Sequence, residues 1–236
     1  MALNNGIALT WLGHATFKIT YEDRVIVIDP WVAQNPATPS ECKTFTAIDL
    51  MLITHGHFDH IADAVDLGKR FKPRIVGIFE TCEWLGRKGV ENLEAMNKGG
   101  TLAIDGLEIT MVHADHSCGI SEEDGSIVYG GEAVGYVLQF PNGYRIYHAG
   151  DTNVFGDMRL IAELYRPDLA MLPVGDRFTM GAREAARAIE FLGVKTVIPM
   201  HFGTFPLLTG TPAALECEAA GLDVEIVTME PGQTLT

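Results

Sequence analysis

No run of about 20 uncharged apolar residues, the length that crosses a bilayer, occurs in the 236 residues, so stable membrane insertion is not expected. Positive charge is scarce as well: 17 Lys and Arg stand against 31 Asp and Glu, a net charge of −14 with no basic cluster. A phosphate backbone needs a track of cations, so nucleic acid is excluded as an expected partner and a small-molecule substrate is expected instead. The four cysteines, Cys42, Cys82, Cys118 and Cys217, form no CxxC pair, which argues against a zinc knuckle or a redox dithiol. The start, Met1-Ala2-Leu3-Asn4-Asn5-Gly6, has neither a basic segment nor an apolar one of the signal-peptide kind, so a cytoplasmic protein is expected. Nor is there a Pro/Ser-rich linker, a charge block or a composition shift, and residues 1–236 read as a single domain, in which 47% hydrophobic residues are ample for a core. Whether that domain forms a homo-oligomer is left open.

What is present is concentrated at Thr54-His55-Gly56-His57-Phe58-Asp59-His60. The apolar run Leu50-Met51-Leu52-Ile53 before it reads as a buried strand, and Ile61 to Leu67 after it has helical apolar spacing. In an extended segment side chains alternate, so His55 and His57 project to one side and can share a metal, while Asp59 and His60 fall where the chain turns and can reach a second. Imidazole and carboxylate donors suit zinc first, with manganese or iron as alternatives. The bland alternative is a His-rich surface turn in which Asp59 merely caps the following helix.

The rest of the chain reads as two halves of one plan. Ile7 to Trp11, Thr16 to Thr20 and Val25 to Asp29 predict an antiparallel opening, with His14 in its first turn, and Trp31 to Ala47 an irregular connection. A strand at Arg74 to Ile78 and a helix at Glu80 to Arg87 follow. The second half opens with a hairpin signal at Asp105-Gly106 that ends in His113-Ala114-Asp115-His116, where two histidines three apart point to opposite sides and only one is expected to be a ligand. Ser117 to Glu132 reads as a polar, structureless loop of the kind that often serves as a lid. Strands at Ala133 to Phe140 and Tyr144 to Tyr147 lead to Asp151; strand-helix alternation then carries the chain to His201, and Asp151 and His201, like His55, follow strands. The expected fold class is α/β, with two mixed β-sheets packed face to face and helices outside, so that ligands distant in sequence gather at one rim.

Collected by type, the candidates are His55, His57 and one of His113 and His116 for one metal, Asp59, His60 and His201 for the other, and Asp151 as a bridging carboxylate. Seven donors leave positions open for water, the mark of a catalytic rather than a structural site. A pair of divalent cations would hold a bridging hydroxide at neutral pH and polarise the bond it attacks.

In this ligand order the chain resembles the metallo-β-lactamase superfamily, over essentially its whole length. Trp11-Leu12-Gly13-His14-Ala15, His116-Ser117, Gly130-Gly131-Glu132, Tyr147 to Thr152 and Pro199 to Pro206 are similar to a branch of metal-dependent hydrolases related to L-ascorbate-6-phosphate lactonase and N-acylphosphatidylethanolamine phospholipase D. The resemblance implies the four-layer αβ/βα sandwich, and it implies His116 rather than His113 as the ligand. Asp59 and Asp151 are the expected catalytic carboxylates. Expected chemistry is hydrolysis of a small ester, lactone or amide at two divalent metals, the rivals being a phosphodiesterase and a metal-binding protein without turnover. His57, where a diiron oxygen-reducing member has Glu, argues against that relative. Beyond the ligands, His14 and His148 are candidates to orient them, Asp176 and Arg177 to meet substrate, and Thr179 reads as the cap of the next helix.

Overall fold

In the computed structural model, which describes Leu3 and residues 6–236, the chain forms two compact units. The stretch read as lacking a leader lies largely outside the described residues.

One unit comprises the chain through Asn97, Ser117–Ala133 and Glu230–Thr236. Its strands are β1 (Ile7–Gly13), β2 (Thr16–Tyr21), β3 (Arg24–Ile28), β4 (Leu50–Leu52), β5 (Arg74–Ile78), β6 (Leu93–Met96) and, at the chain end, β16 (Thr234–Leu235). They form one sheet in the order β16-β1-β2-β3-β4-β5-β6, antiparallel up to β3 and parallel from β3 to β6. Parallel neighbours must be joined by crossovers: residues 29–49 link β3 to β4, the helices α1 (Phe58–Ile61) and α2 (Ala64–Phe71) link β4 to β5, and α3 (Phe79–Arg87) links β5 to β6. Strands buried on both faces carry near-continuous apolar runs, and Leu50-Met51-Leu52 is wholly buried. Val27, Met51, Ile53, Ile75 and Leu85 belong to one core cluster, each contributing about 2 kcal/mol by burial.

The other unit comprises Lys98–His116 and Val134–Met229. It repeats the plan: β7 (Thr101–Ile104), β8 (Leu107–His113), β11 (Val134–Gln139) and β12 (Arg145–His148) pair antiparallel, then β13 (Leu169–Pro173), β14 (Thr196–Met200) and β15 (Glu225–Ile226) pair parallel, with α4 (Met158–Tyr165), α5 (Ala182–Leu192) and α6 (Pro212–Glu218) as crossovers. The β7–β8 turn is the expected one, since Asp105 and Gly106 both take positive φ, 52° and 86°, as a tight two-residue hairpin requires. Thr211 caps α6, its side chain accepting from the Ala214 N–H at 3.2 Å.

Three elements differ from the sequence reading. The loop at 117–132 is not structureless: β9 (Gly119–Ser121) and β10 (Ile127–Tyr129) pair antiparallel within it and belong to the first unit. Its turn is Asp124-Gly125, where the Asp124 carboxylate accepts from both the N–H and the hydroxyl of Ser126 at 2.9 and 2.6 Å. The helix after the His turn is broken in two, because Asp63 turns aside to accept from the Val32 and Ala33 N–H groups at 2.6 and 2.9 Å and donates its own N–H to the Pro30 carbonyl. Finally, β6 and β16 are additional strands; β16 is only two residues long and is defined by its partner rather than by its own pattern. Among the described residues no helix is long and apolar enough to cross a membrane.

Candidate metal centre

Parallel pairing of β3 with β4 fixes the first half of the site. Ile28 is paired with Leu52, so the residues that leave the two strands, Asp29 and Ile53-Thr54-His55, run side by side. Asp29 is fully buried; its Oδ1 accepts from the Thr54 N–H at 2.7 Å and its Oδ2 from the Thr54 hydroxyl at 2.6 Å. The same Oδ2 lies 2.8 Å from His60 Nδ1. These contacts assign the ring protons. His60 donates from Nδ1 to the carboxylate, which puts its lone pair on Nε2. The single Thr54 hydroxyl proton is given to Asp29, so this oxygen accepts from His55 Nδ1, 3.0 Å away, and the His55 lone pair is likewise on Nε2.

His55 Nε2 then stands 3.0 Å from His57 Nδ1. The far nitrogen of His57, Nε2, is 3.3 Å from the Ser117 hydroxyl, which orients the ring with Nδ1 toward His55. Two ligand nitrogens on a tetrahedral zinc, at about 2.05 Å from the ion, are about 3.3 Å apart, so the 3.0 Å His55/His57 spacing is close to what a shared ion would need. Asp59 lies one residue into α1, whose cap position is His57 with no side-chain cap bond, so Asp59 is not a cap. Its Oδ2 is 3.0 Å from His14 Nε2, and His14, Asp59 and His60 each offer one ligand atom within 4.8 Å of the others. His14 is held in turn by the Trp11 indole, which donates to its carbonyl at 2.9 Å.

Cys118 ties the His turn to the β9–β10 hairpin. Its sulfur accepts from the Gly56 N–H at 3.3 Å and donates to the Gly130 carbonyl at 3.2 Å, and burial pushes the thiol above its usual range, so it stays protonated. No side chain fits at Gly56, where a Cβ would come 2.3 Å from Ile120.

In the second unit, β8, β12 and β14 deliver the remaining candidates, His116, Asp151 and His201, just past their carboxyl ends. Asp151 is nearly fully buried, and its Oδ2 lies 3.0 Å from His201 Nε2 and 3.7 Å from His116 Nε2, one carboxylate oxygen facing two imidazoles. Thr152 holds this turn in place, its hydroxyl accepting from the Asp115 N–H at 2.9 Å and donating to the Asn153 carbonyl at 2.6 Å. His201 is seated by Gly175: a Cβ there would fall 2.0 Å from the His201 carbonyl oxygen, so only glycine permits the approach. His14, Asp29 and His201 all have positive φ, 58°, 49° and 59°, in a region costly for residues with a side chain; such strain gathers at functional sites.

The minor candidates divide. Buried His148 accepts the Gly150 N–H on Nδ1 at 3.1 Å, which shapes the turn leading to Asp151. His113 is exposed, 3.4 Å from Lys98 Nζ, with its ring edge-on to Phe155 at 4.8 Å, so it parts from His116 as alternation requires. Asp176 and Arg177 lie exposed in the loop after β13; the carboxylate accepts from the Arg177 N–H and the Thr209 hydroxyl, and the guanidinium lies over Phe178. Thr179 is not the cap of α5: Gly181 occupies that position without a side-chain bond. Asp29 is the residue that sequence reading passed over.

Residues 8–201 match the family described as the beta-lactamase superfamily domain. The chain is 55% identical over 230 residues, 97% of each chain, to a UPF0173 metal-dependent hydrolase of Koribacter versatilis. To a protein of the same description from Solibacter usitatus it is 53% identical over 226 residues, 95% of this chain and 97% of that one. A solved metallo hydrolase from the hyperthermophilic archaeon Ignicoccus hospitalis shares its fold with a TM-score of 0.83 and 34% identity over 97% of either chain.

Proposed function

The chain belongs to the metallo-β-lactamase superfamily and is a metal-dependent hydrolase; from that premise we propose that it hydrolyses a small ester, lactone or amide at a two-metal centre. His55, His57 and His116 would hold one ion, Asp59, His60 and His201 the other, and Asp151 would serve both. Zinc is the first candidate for this nitrogen-rich donor set, with manganese or iron as alternatives. The observation that carries the reading is the assignment of ring protons: the contacts of Asp29 and Thr54 turn the lone pairs of His60 and His55 to the nitrogens opposite those contacts, as ligation requires.

Metals held by these residues would supply a nucleophilic water at neutral pH and polarise the bond under attack. The chain's own residues do the rest. Asp29 and Thr54 fix the tautomers and ring directions, which removes reorganisation from the reaction. His14 Nε2 donates to Asp59 Oδ2, restraining a carboxylate that can take up and return a proton. Asp151, nearly fully buried, has little freedom to turn away from His116 and His201.

A panel of p-nitrophenyl acetate, γ-butyrolactone, an acyl thioester, an anilide and bis-p-nitrophenyl phosphate, run on metal-loaded protein, separates the readings. Turnover of an acyl substrate without the phosphodiester is expected. Phosphodiester cleavage alone would transfer the chain to the phosphodiesterase reading, and no turnover at all would leave a metal-binding protein.

A further inference from the structure

The β9–β10 hairpin is fastened at both ends to the unit that carries the His turn. At its root, Ser117 meets His57, Cys118 meets Gly56, and the Gly130 carbonyl accepts from the Thr81 hydroxyl of α3 at 2.7 Å. Toward its tip, Glu122 reaches over α3, accepting from the Trp84 indole at 2.7 Å and from the Lys88 ammonium at 2.5 Å. Between these two fastenings the hairpin stands off the helix and leaves a cavity of about 420 Å³. That volume falls within the range of small-molecule sites, roughly 300–1,000 Å³.

Three aromatic side chains line it: Phe79 and Trp84 from α3, and Tyr129 from β10. Phe79 and Tyr129 are 53% and 70% exposed, so they add little to the core, and a protein that exposes two large rings on one cavity leaves their faces to a ligand. Charge narrows the class of ligand. Glu80, Glu83 and Glu122 stand against Arg87 and Lys88, and Lys88 is already engaged by Glu122, so the walls are net negative and disfavour an anion.

We propose that the cleft between α3 and the β9–β10 hairpin binds an uncharged, planar aromatic group, the part of the substrate remote from the bond that is cut. This rests on the hydrolase reading above and extends it, because the residues at the hairpin root, Ser117 and Cys118, touch the His turn directly. The hairpin that forms one wall of the cleft is thus bonded at its root to the turn that carries His57. The Glu122 fastening keeps the cleft formed before the ligand arrives, which lowers the ordering cost of binding.

The chain carries its own reporter. Trp11 and Trp31 are buried at 2% and 3% exposure, whereas Trp84 is half-buried on the cavity wall, so quenching by an added aromatic is read at Trp84. Titration with 2-naphthamide should quench this fluorescence saturably, 2-naphthoate should bind more weakly, and Tyr129→Ala and Phe79→Ala should each weaken the amide roughly tenfold. Because both side chains are exposed, the variants keep the fold. Equal binding of hexanamide, or quenching that never saturates, overturns the proposal.

In kinetics, the preference for p-nitrophenyl 2-naphthylacetate over p-nitrophenyl acetate should fall roughly tenfold in both variants. An unchanged preference overturns the assignment of the cleft to the substrate. The fluorescence titration needs no turnover, so a failure of the hydrolase reading and a failure of the cleft are told apart.

Discussion

Replacing Asp151 by alanine is expected to lower kcat/KM by at least about 10³-fold, roughly 4 kcal/mol of transition-state stabilisation, while the protein remains folded. The size of the effect follows from its place. One oxygen of Asp151 faces both His201 and His116, at 3.0 and 3.7 Å, so removing it strips both imidazoles of the same carboxylate. The fold survives because the turn at 151 is held by the Thr152 hydroxyl, on the Asp115 N–H and the Asn153 carbonyl, and by the Gly150 N–H on His148 Nδ1, all of which the substitution leaves in place. Activity with the substrate identified by the panel, measured beside circular dichroism, checks both halves of the statement. Full turnover in Asp151→Ala would refute a shared carboxylate at this position.

Asp29→Ala should produce the largest loss of stability. The Thr54 N–H, the Thr54 hydroxyl and His60 Nδ1 all point at this carboxylate from fully buried positions, and each loses its acceptor at once. Removing one partner of such a buried network costs about 3–5 kcal/mol, and at this chain length that lowers Tm by roughly 10 °C. Alanine also fits poorly at the positive φ of residue 29. Asparagine tolerates that backbone but presents an amide where two acceptor oxygens are needed, so Asp29→Asn separates the two causes. Metal affinity should fall by about 10–100-fold in either variant, because His60 loses the partner that directs it. Thermal unfolding of the metal-free proteins and competition with a chromophoric chelator give the two numbers. A Tm within about 2 °C of the parent would show that the Asp29 contacts carry little.

How much of this was legible beforehand depends on the range over which each contact forms. The clustering of the His turn could be read because His55, His57, Asp59 and His60 lie within six residues. Asp151 and His201 could be read because each follows an apolar run at a strand end. Asp29 could not: an Asp-Pro after a strand looks like a strand terminator, and its partner Thr54 is 25 residues away, brought alongside only by the parallel pairing of β3 with β4. The β9–β10 hairpin was hidden for a related reason. Its Asp124-Gly125 turn lies in a polar segment whose strands are three residues each, too short to show a period, and the hairpin's fastening to α3 rests on Trp84 and Lys88, more than 30 residues upstream. Thr179 misled because a Thr ahead of a helical pattern is a good cap signal, whereas the chain enters α5 through Gly181.

The central claim is that the His turn, Asp151 and His201 hold metal. Elemental analysis of protein purified without added metal, beside a His55→Ala/His57→Ala double variant, tests it most directly. About two equivalents of zinc, manganese or iron per chain are expected in the parent and one or fewer in the variant. A parent that carries no metal and takes up none on titration, or a variant that retains the full complement, would contradict it.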